Sequence, residues 1–483
     1  MKFQLQKKLM TAAIIFLLTV LWFVPLASAY SVTINQKTVE DLSMEGLTSQ
    51  ESKSYDLLII SPGTYTSTLQ PLVDHKNSFG VKTKLVTLDE VYDSEVAFWY
   101  GRDNPEKIKY FIKSAIEEWN ISYVMLVGNF RQMPIRYVYN DEPSEGFSEP
   151  NFISELYYAD IYDQNGNFSS WDTNNNGVFG EWKGEEAQDR DIDLYPDVYV
   201  GRLAARNSLE LNVLVNKIIT YETNTYDQDW FKKIVVVAGD TYPDGYYDFP
   251  TPFNEGEENA KTVLSYLPGF ENTSLFTSDG TLKGPRDVIK TINQGCGFLF
   301  FDGHASPMSW STHKPNNDVW VDGLSTFTMN RLINYKKLPV CVVGGCHNMQ
   351  FDVNLFNLLK NPIKSYYYST WAPECWGWKL TSKIGGGSIA TIGCSGLGMT
   401  KEDKSTLEGA SDYLDSQFFY EYGINGTEML GKVWGNAITN YLDKYPIDWN
   451  TRSGWDFAYD AKTVQQWVLM GDPSLKIGGY PSS

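Results

Sequence analysis

Two residues able to share nucleophilic chemistry stand at the ends of two short apolar runs. Phe298–Phe301 leads into Asp302-Gly303-His304, and Val340–Val343 leads into Gly344-Gly345-Cys346-His347. A cysteine acts as a nucleophile through its thiolate, and a nearby imidazole can take the proton. Continuous apolar runs of this length read as strands buried on both faces, the pattern of a parallel sheet. Reacting groups in such sheets gather just beyond the carboxyl ends of strands. His304 and Cys346 are therefore candidates for a Cys–His dyad. The backbone N–H groups of Ala305 and Cys346 are candidates for holding an oxyanion. A third run, Lys233–Ala238, ends in Gly239-Asp240, which makes Asp240 the candidate to orient the imidazole. His347 is a rival base, ranked below His304 because side chains adjacent in sequence point apart. A Cys–His metal site is a further alternative, without a C-x-x-C pair to support it.

The elements that must position these residues follow from hydrophobic patterning. Strands are expected at Leu57–Ser61, Val81–Val86 and Tyr123–Gly128, alternating with helices near Leu69–Phe79 and from Pro105 to Trp119. Strand–helix alternation implies a right-handed parallel sheet. After an irregular stretch, Tyr137 to Asp197, come a strand at Val198–Val200 and a helix from Ser208 to Glu222. A second series begins at Lys233 and ends with the run Gln465–Met470. Between the His304 and Cys346 strands a polar connection and a helix near Thr326–Asn334 are expected. The fold class is α/β, as two tandem units with mostly parallel sheets flanked by helices: residues 55–225 and a catalytic unit at 226–483. Arg202, after Val198–Val200, reads as a buried structural ion pair before it reads as a ligand group.

The chain has 483 residues, enough for such cores, and a net charge of −19, which makes nucleic acid and anionic membranes poor partners to expect for the chain as a whole. Lys7 and Lys8, the apolar run Leu9–Leu26 and Ala27-Ser28-Ala29 form the pattern of a secretory signal peptide over residues 1–29, with a retained anchor as the alternative. Residues 30–54 read as a leader or short pro-segment. The mature protein is expected outside the cell, with no membrane segment of its own. Five cysteines are too few for a disulfide scaffold, and the odd count leaves one thiol over, for which Cys346 is the candidate. Within the irregular stretch, Asp172, Asn174 and Asn176 alternate before Gly177, as in the first half of a calcium loop. The Val178 carbonyl and Glu181 (or Glu185) would complete it. The alternative is an Asx-rich turn without an ion. No organic cofactor is implied.

At these residues the chain resembles the gingipain-like cysteine peptidases, relatives of the caspases and legumains. The resemblance runs from about Tyr55 to Leu475. It rests on Tyr195-Pro196-Asp197-Val198-Tyr199-Val200-Gly201-Arg202, on Gly303-His304 with Ser309-Trp310 downstream, on Leu338-Pro339 with Cys346 and Asn348, and on Gly471–Leu475. It implies Cys346 as nucleophile, His304 as its partner, an acidic residue at Asp240, bound calcium, and protein or peptide substrates. Two positions depart from the family pattern. Ala305 stands where a glycine is usual. Asn254, with Glu255 beside it, falls where arginine-cleaving members carry the pocket aspartate. The residues outside this span are too few for the family's immunoglobulin-like domain and long pro-domain, which are therefore not expected in this sequence. The expected activity is that of a secreted cysteine endopeptidase. A sortase-like transpeptidase of the same family, or a non-catalytic calcium-dependent binding protein, are the alternatives.

Overall fold

Apart from Lys233, the strands that lead to the candidate residues are buried along their length, which explains their apolar sequences. In Lys233–Ala238, Phe298–Asp302 and Val340–Val343, successive side chains enter two different cores. Ile234, Val236, Phe298, Phe300, Val340 and Val342 face one; Val235, Val237, Leu299, Phe301, Cys341 and Val343 face the other. The computed structural model describes residues 54–481, apart from 142, 145, 146, 244–252, 401–408 and 454–456. The signal-peptide reading (1–29) and nearly all of the leader reading (30–54) lie outside the described residues.

The first strands are β1 (Leu57–Ser61), β2 (Thr83–Thr87), β3 (Tyr123–Val127) and β4 (Tyr199–Leu203). Then follow β5 (Lys233–Ala238), β6 (Glu271–Phe276), β7 (Phe298–Asp302), β8 (His304–Ala305), β9 (Ser309–Lys314) and β10 (Asn317–Ser325). The last are β11 (Val340–Val343), β12 (Ala390–Cys394) and β13 (Trp467–Met470). The principal helices are α1 (Thr66–Ser78), α2 (Asn104–Trp119), α3 (Ser208–Asn224), α4 (Glu255–Ser265), α5 (Pro285–Ile292), α6 (Trp376–Ser382), α7 (Ala410–Gly423), α8 (Leu430–Lys444) and α9 (Phe457–Gln465). Local chemistry sets their ends. In α2 the Asp103 side chain caps the Glu106 N–H, Pro105 occupies the first turn, and Asn120 closes the helix at φ 55°.

Ten strands form one sheet in the order β6-β5-β7-β11-β12-β13-β4-β3-β1-β2. From β6 to β12 all neighbours are parallel. β13 runs antiparallel to β12 and parallel to β4. From β4 to β2 the neighbours are again parallel. The two units expected from sequence are thus two oppositely directed halves of one sheet, and Ser52–Ser483 cluster as one body. The strand joining the halves comes from the end of the chain.

Two buried ionic clusters brace this joint. Lys76 Nζ lies 2.7 Å from both Glu222 and Asp472 and donates to the Ser474 carbonyl at 3.0 Å. Arg202 donates to both Glu155 oxygens at 2.7 and 2.8 Å and to the carbonyls of Gly128, Met133 and Pro134. Arg202 is therefore a structural ion pair.

The connection between β7 and β11 differs from expectation. It is an antiparallel three-stranded sheet, β8-β9-β10, and only a short 3-10 turn, Thr328–Arg331, stands where a helix was expected. The alternation was hidden by polar residues on the open face. Trp310, Thr312 and Val321 point inward, and Pro315-Asn316, with Asn316 at φ 52°, make the turn.

Candidate active site

Because β5, β7, β11 and β12 run in one direction, Asp240, His304, Cys346 and Ser395 all emerge at one edge of the sheet. Gly345 joins two of these ends. Its φ is 119°, and a Cβ there would lie 2.8 Å from both the Ala305 nitrogen and the Ala305 Cβ. Only glycine lets the Cys346 turn sit against the His304 turn. The same glycine makes room for the Ala305 methyl, so the departure from the family pattern is accommodated next door. Asn348 locks the turn from below. Its amide donates to the carbonyls of Gly345 (2.6 Å) and Val343 (3.3 Å), and its oxygen accepts the Cys394 N–H at 3.0 Å. His347, at φ 55°, is turned aside; its backbone bonds to Gly396 at 2.7 Å and its ring Nε2 sits 3.4 Å from Glu149.

Cys346 is half-buried, and its Sγ lies 4.0 Å from the Gly398 carbonyl. Burial pushes the thiol up to about 11, so it rests protonated. His304 Nε2 lies 2.8 Å from the Thr241 carbonyl. A carbonyl only accepts, so Nε2 carries the proton and Nδ1 is the basic nitrogen. Burial lowers the His304 pKa below its ordinary value, against a raising contribution from the Thr241 bond. His313 Nδ1 approaches the same carbonyl at 3.3 Å, with the two imidazoles 5.5 Å apart. Trp320, 54 % exposed, lies 5.2 Å from the His304 ring and 3.9 Å from that of His313. Tyr242 meets His304 edge-on at 5.5 Å.

The Thr241 carbonyl, one residue beyond Asp240, accepts from the His304 ring. Asp240 pairs through its backbone with His313, and its Oδ2 accepts the Asn316 N–H at 2.7 Å. It anchors the β9–β10 hairpin over the site. Glu255, read as a pocket residue, is buried, and its Oε2 accepts the N–H groups of Thr241 and Tyr242 at 3.1 and 3.2 Å. A carboxylate at the first turn of α4 faces backbone donors that would otherwise be unpaired. Asn254 is half-buried ahead of α4 and makes no side-chain cap. The neighbouring residues 244–252 lie outside the described residues.

Beneath the edge lies a set of buried acids. Asn259 Nδ2 donates to Asp302 at 2.7 Å and to Asp415 at 3.1 Å. Burial pushes Asp302 up to about 6 and Glu255 up to about 7, and raises Asp412 and Asp415 well above the usual carboxylate range.

The oxygen-rich loop does not fit calcium in this arrangement. Arg102 Nη1 sits 2.7 Å from Asp172 Oδ2 and 2.9 Å from Asn175 Oδ1. The Asn174 and Asn176 oxygens accept backbone N–H groups within the loop, including that of Val178, and Asn176 Nδ2 donates to Glu181 at 2.6 Å. A guanidinium thus occupies the cation position, and the rest is an Asx-turn network. Among the described residues no group of three or more His, Cys, Asp or Glu side chains could hold a metal ion. All five cysteines are unpaired, and Cys346 alone is not buried.

Sequence reading missed Thr241, which acts through its carbonyl, and Trp320 and His313, which reach the site on the hairpin. Asn348 was visible as the last residue of Cys346-His347-Asn348.

The chain is 20% identical over 436 residues to gingipain R2 of Porphyromonas gingivalis, covering 89% of this chain and 46% of that relative. It is 23% identical over 270 residues to Lys-gingipain HG66 of Porphyromonas gingivalis, covering 53% of this chain and 15% of that protein. The chain therefore spans less than half the length of these relatives. The crystal structure of the Arg-specific cysteine proteinase gingipain R superposes with a TM-score of 0.59 at 18% identity, covering 89% of this chain and 79% of that one, which shows a shared fold. A sequence model of peptidase family C25 matches residues 50–478, and the chain belongs to that family.

Proposed function

We propose that this chain is an exported cysteine endopeptidase in which Cys346 is the nucleophile and His304 the acid–base partner. One observation carries the reading: Gly345 packs against Ala305, bringing together two strand ends that bear a thiol and an imidazole. As a peptide carbonyl approaches, the Cys346 proton passes to His304 Nδ1 while Sγ attacks the carbonyl carbon. The oxyanion is held by the N–H groups of Ala305 and Cys346. His304 then gives its proton to the departing amine, leaving a thioester, and water completes the cycle by the same proton route. The Thr241 carbonyl fixes the tautomer throughout, and Glu255 and Asp240 position Thr241 and the hairpin. Asn254 is neutral and offers no counter-charge to a guanidinium, so the basic preferences in the relatives' names are not carried over.

The test is cleavage of a peptide library by the wild type, Cys346→Ala and His304→Ala, with folding checked by melting. The expected result is loss of cleavage in both variants at unchanged Tm. Cleavage that persists in Cys346→Ala would overturn the assignment.

A further inference from the structure

We propose that the segment between Val353 and Pro373 is a docking surface for an anionic lipid bilayer. In a chain with 59 acidic residues and a net charge of −19, these residues contain no Asp or Glu and two lysines, Lys360 and Lys364. The segment folds into two short helices, Asn357–Lys360 and Pro362–Tyr367. They pack chiefly on each other: Ser365 Oγ donates to the Asn357 carbonyl at 2.8 Å, and Asn361 caps the second helix. The fold holds large side chains outward instead of burying them. Leu359 is 81% exposed, Ile363 85%, Tyr366 73% and Tyr367 76%. A patch of this kind on a single chain marks an interaction surface.

Its composition selects the partner. Leucine and isoleucine at the tip, tyrosines beside them and lysines among them are the residues of a membrane interface. Lysine is depleted from protein–protein interfaces, which disfavours a protein partner. Arg131 adds a third cation at the base, stacked on Phe356 at 5.7 Å beside a cleft of about 350 Å³. The chain as a whole, with a net charge of −19, is repelled by anionic lipid, so approach is favoured through this acid-free face. The cleft is lined by Asn129 and Ala204, just past the carboxyl ends of β3 and β4. Those strands run opposite to β11, so docking here leaves the Cys346 edge free.

The experiment is co-sedimentation of the full chain with vesicles of phosphatidylcholine alone or with added phosphatidylglycerol. The wild type is expected to pellet with the anionic vesicles, less so at high salt. Leu359→Asp with Ile363→Asp should weaken binding at least about tenfold, and Lys360→Gln with Lys364→Gln should weaken it only where phosphatidylglycerol is present. Tyr366→Ser with Tyr367→Ser provides a second apolar-face variant, should the first lower the melting temperature. No lipid binding by the wild type, or equal binding by both apolar-face variants, overturns the proposal. So does a concentration-dependent dimer that forms without lipid and is lost in the variants, because a second copy would then be the occupant.

Discussion

Thr241 holds His304 through its carbonyl, leaving Nδ1 basic in a neutral ring opposite a neutral thiol. An imidazole lowered below its ordinary 6.5 and a thiol raised to about 11 make a general-base pair, not a preformed ion pair. The pH profile of kcat/KM should therefore show an acid limb below pH 6.5 and no thiol-dependent limb in that range, and alkylation of Cys346 in the resting protein should accelerate with rising alkalinity. Rapid alkylation in mild acid would contradict the neutral pair. Asn348→Ala should leave the Gly345 carbonyl and the Cys394 N–H unpaired, costing about 1–3 kcal/mol of stability, with turnover falling more than affinity; unchanged kcat and Tm would remove it from the site. Cys346 and His304 stood out as candidates because side-chain type and glycine context mark them, whereas Asn348 entered only through the family resemblance. Thr241 was not, because a backbone carbonyl leaves no trace in residue identity. The backbone partners of Glu255 were not legible, because a carboxylate at a helix start looks the same whether it faces a pocket or a strand end.

The parallel strands were legible as elements because burial on both faces demands unbroken apolar runs. The β9–β10 hairpin was not, because only its inner face is apolar and it carries polar residues elsewhere. That hairpin forms one wall of the candidate site through Trp320. Trp320→Ala should lower kcat/KM about fivefold or more with Tm unchanged, since the lost contacts are an exposed aromatic's; equal kinetics would make the hairpin a mere cover. The Asp172 loop teaches the converse lesson. Its spacing announced a cation, and Arg102, distant in sequence, is the cation that reaches Asp172 in this arrangement. Chelator should leave the wild-type Tm unchanged. Arg102→Ala should lower it by about 2 °C, and added calcium should recover the loss in the variant only. A calcium-dependent rise in the wild type would show that the guanidinium yields its place.

Across the whole molecule, the buried acids set a pH dependence of stability. Asp302 and Glu255 have folded pKa values of about 6 and about 7, above their ordinary 3.8 and 4.5. The folded state therefore binds the extra protons. Its advantage is complete in acid and is lost as pH rises through those values. Asp415→Asn should raise Tm at about pH 8 and change it little near pH 4; the reverse order would refute the assignment. Lys76 is buried between Glu222 and Asp472, and Glu222→Ala with Asp472→Ala should cost about 3–5 kcal/mol in thermal or denaturant unfolding by stranding its charge, whereas Asp472→Ala alone should cost less because Glu222 still pairs it. The two half-sheets were legible from strand–helix order, but their union was not, because antiparallel pairing of β12 with β13 depends on partners far apart in the chain. That union has a kinetic consequence. The strand that fills the gap between the halves, Trp467–Met470, is made after the other nine strands of the sheet. Until it emerges, β12 and β4 each present an open edge. During synthesis or export from the amino end, both halves must wait for the final strand, so a chain stopped before Trp467 would hold two sticky half-sheets in place of one closed body.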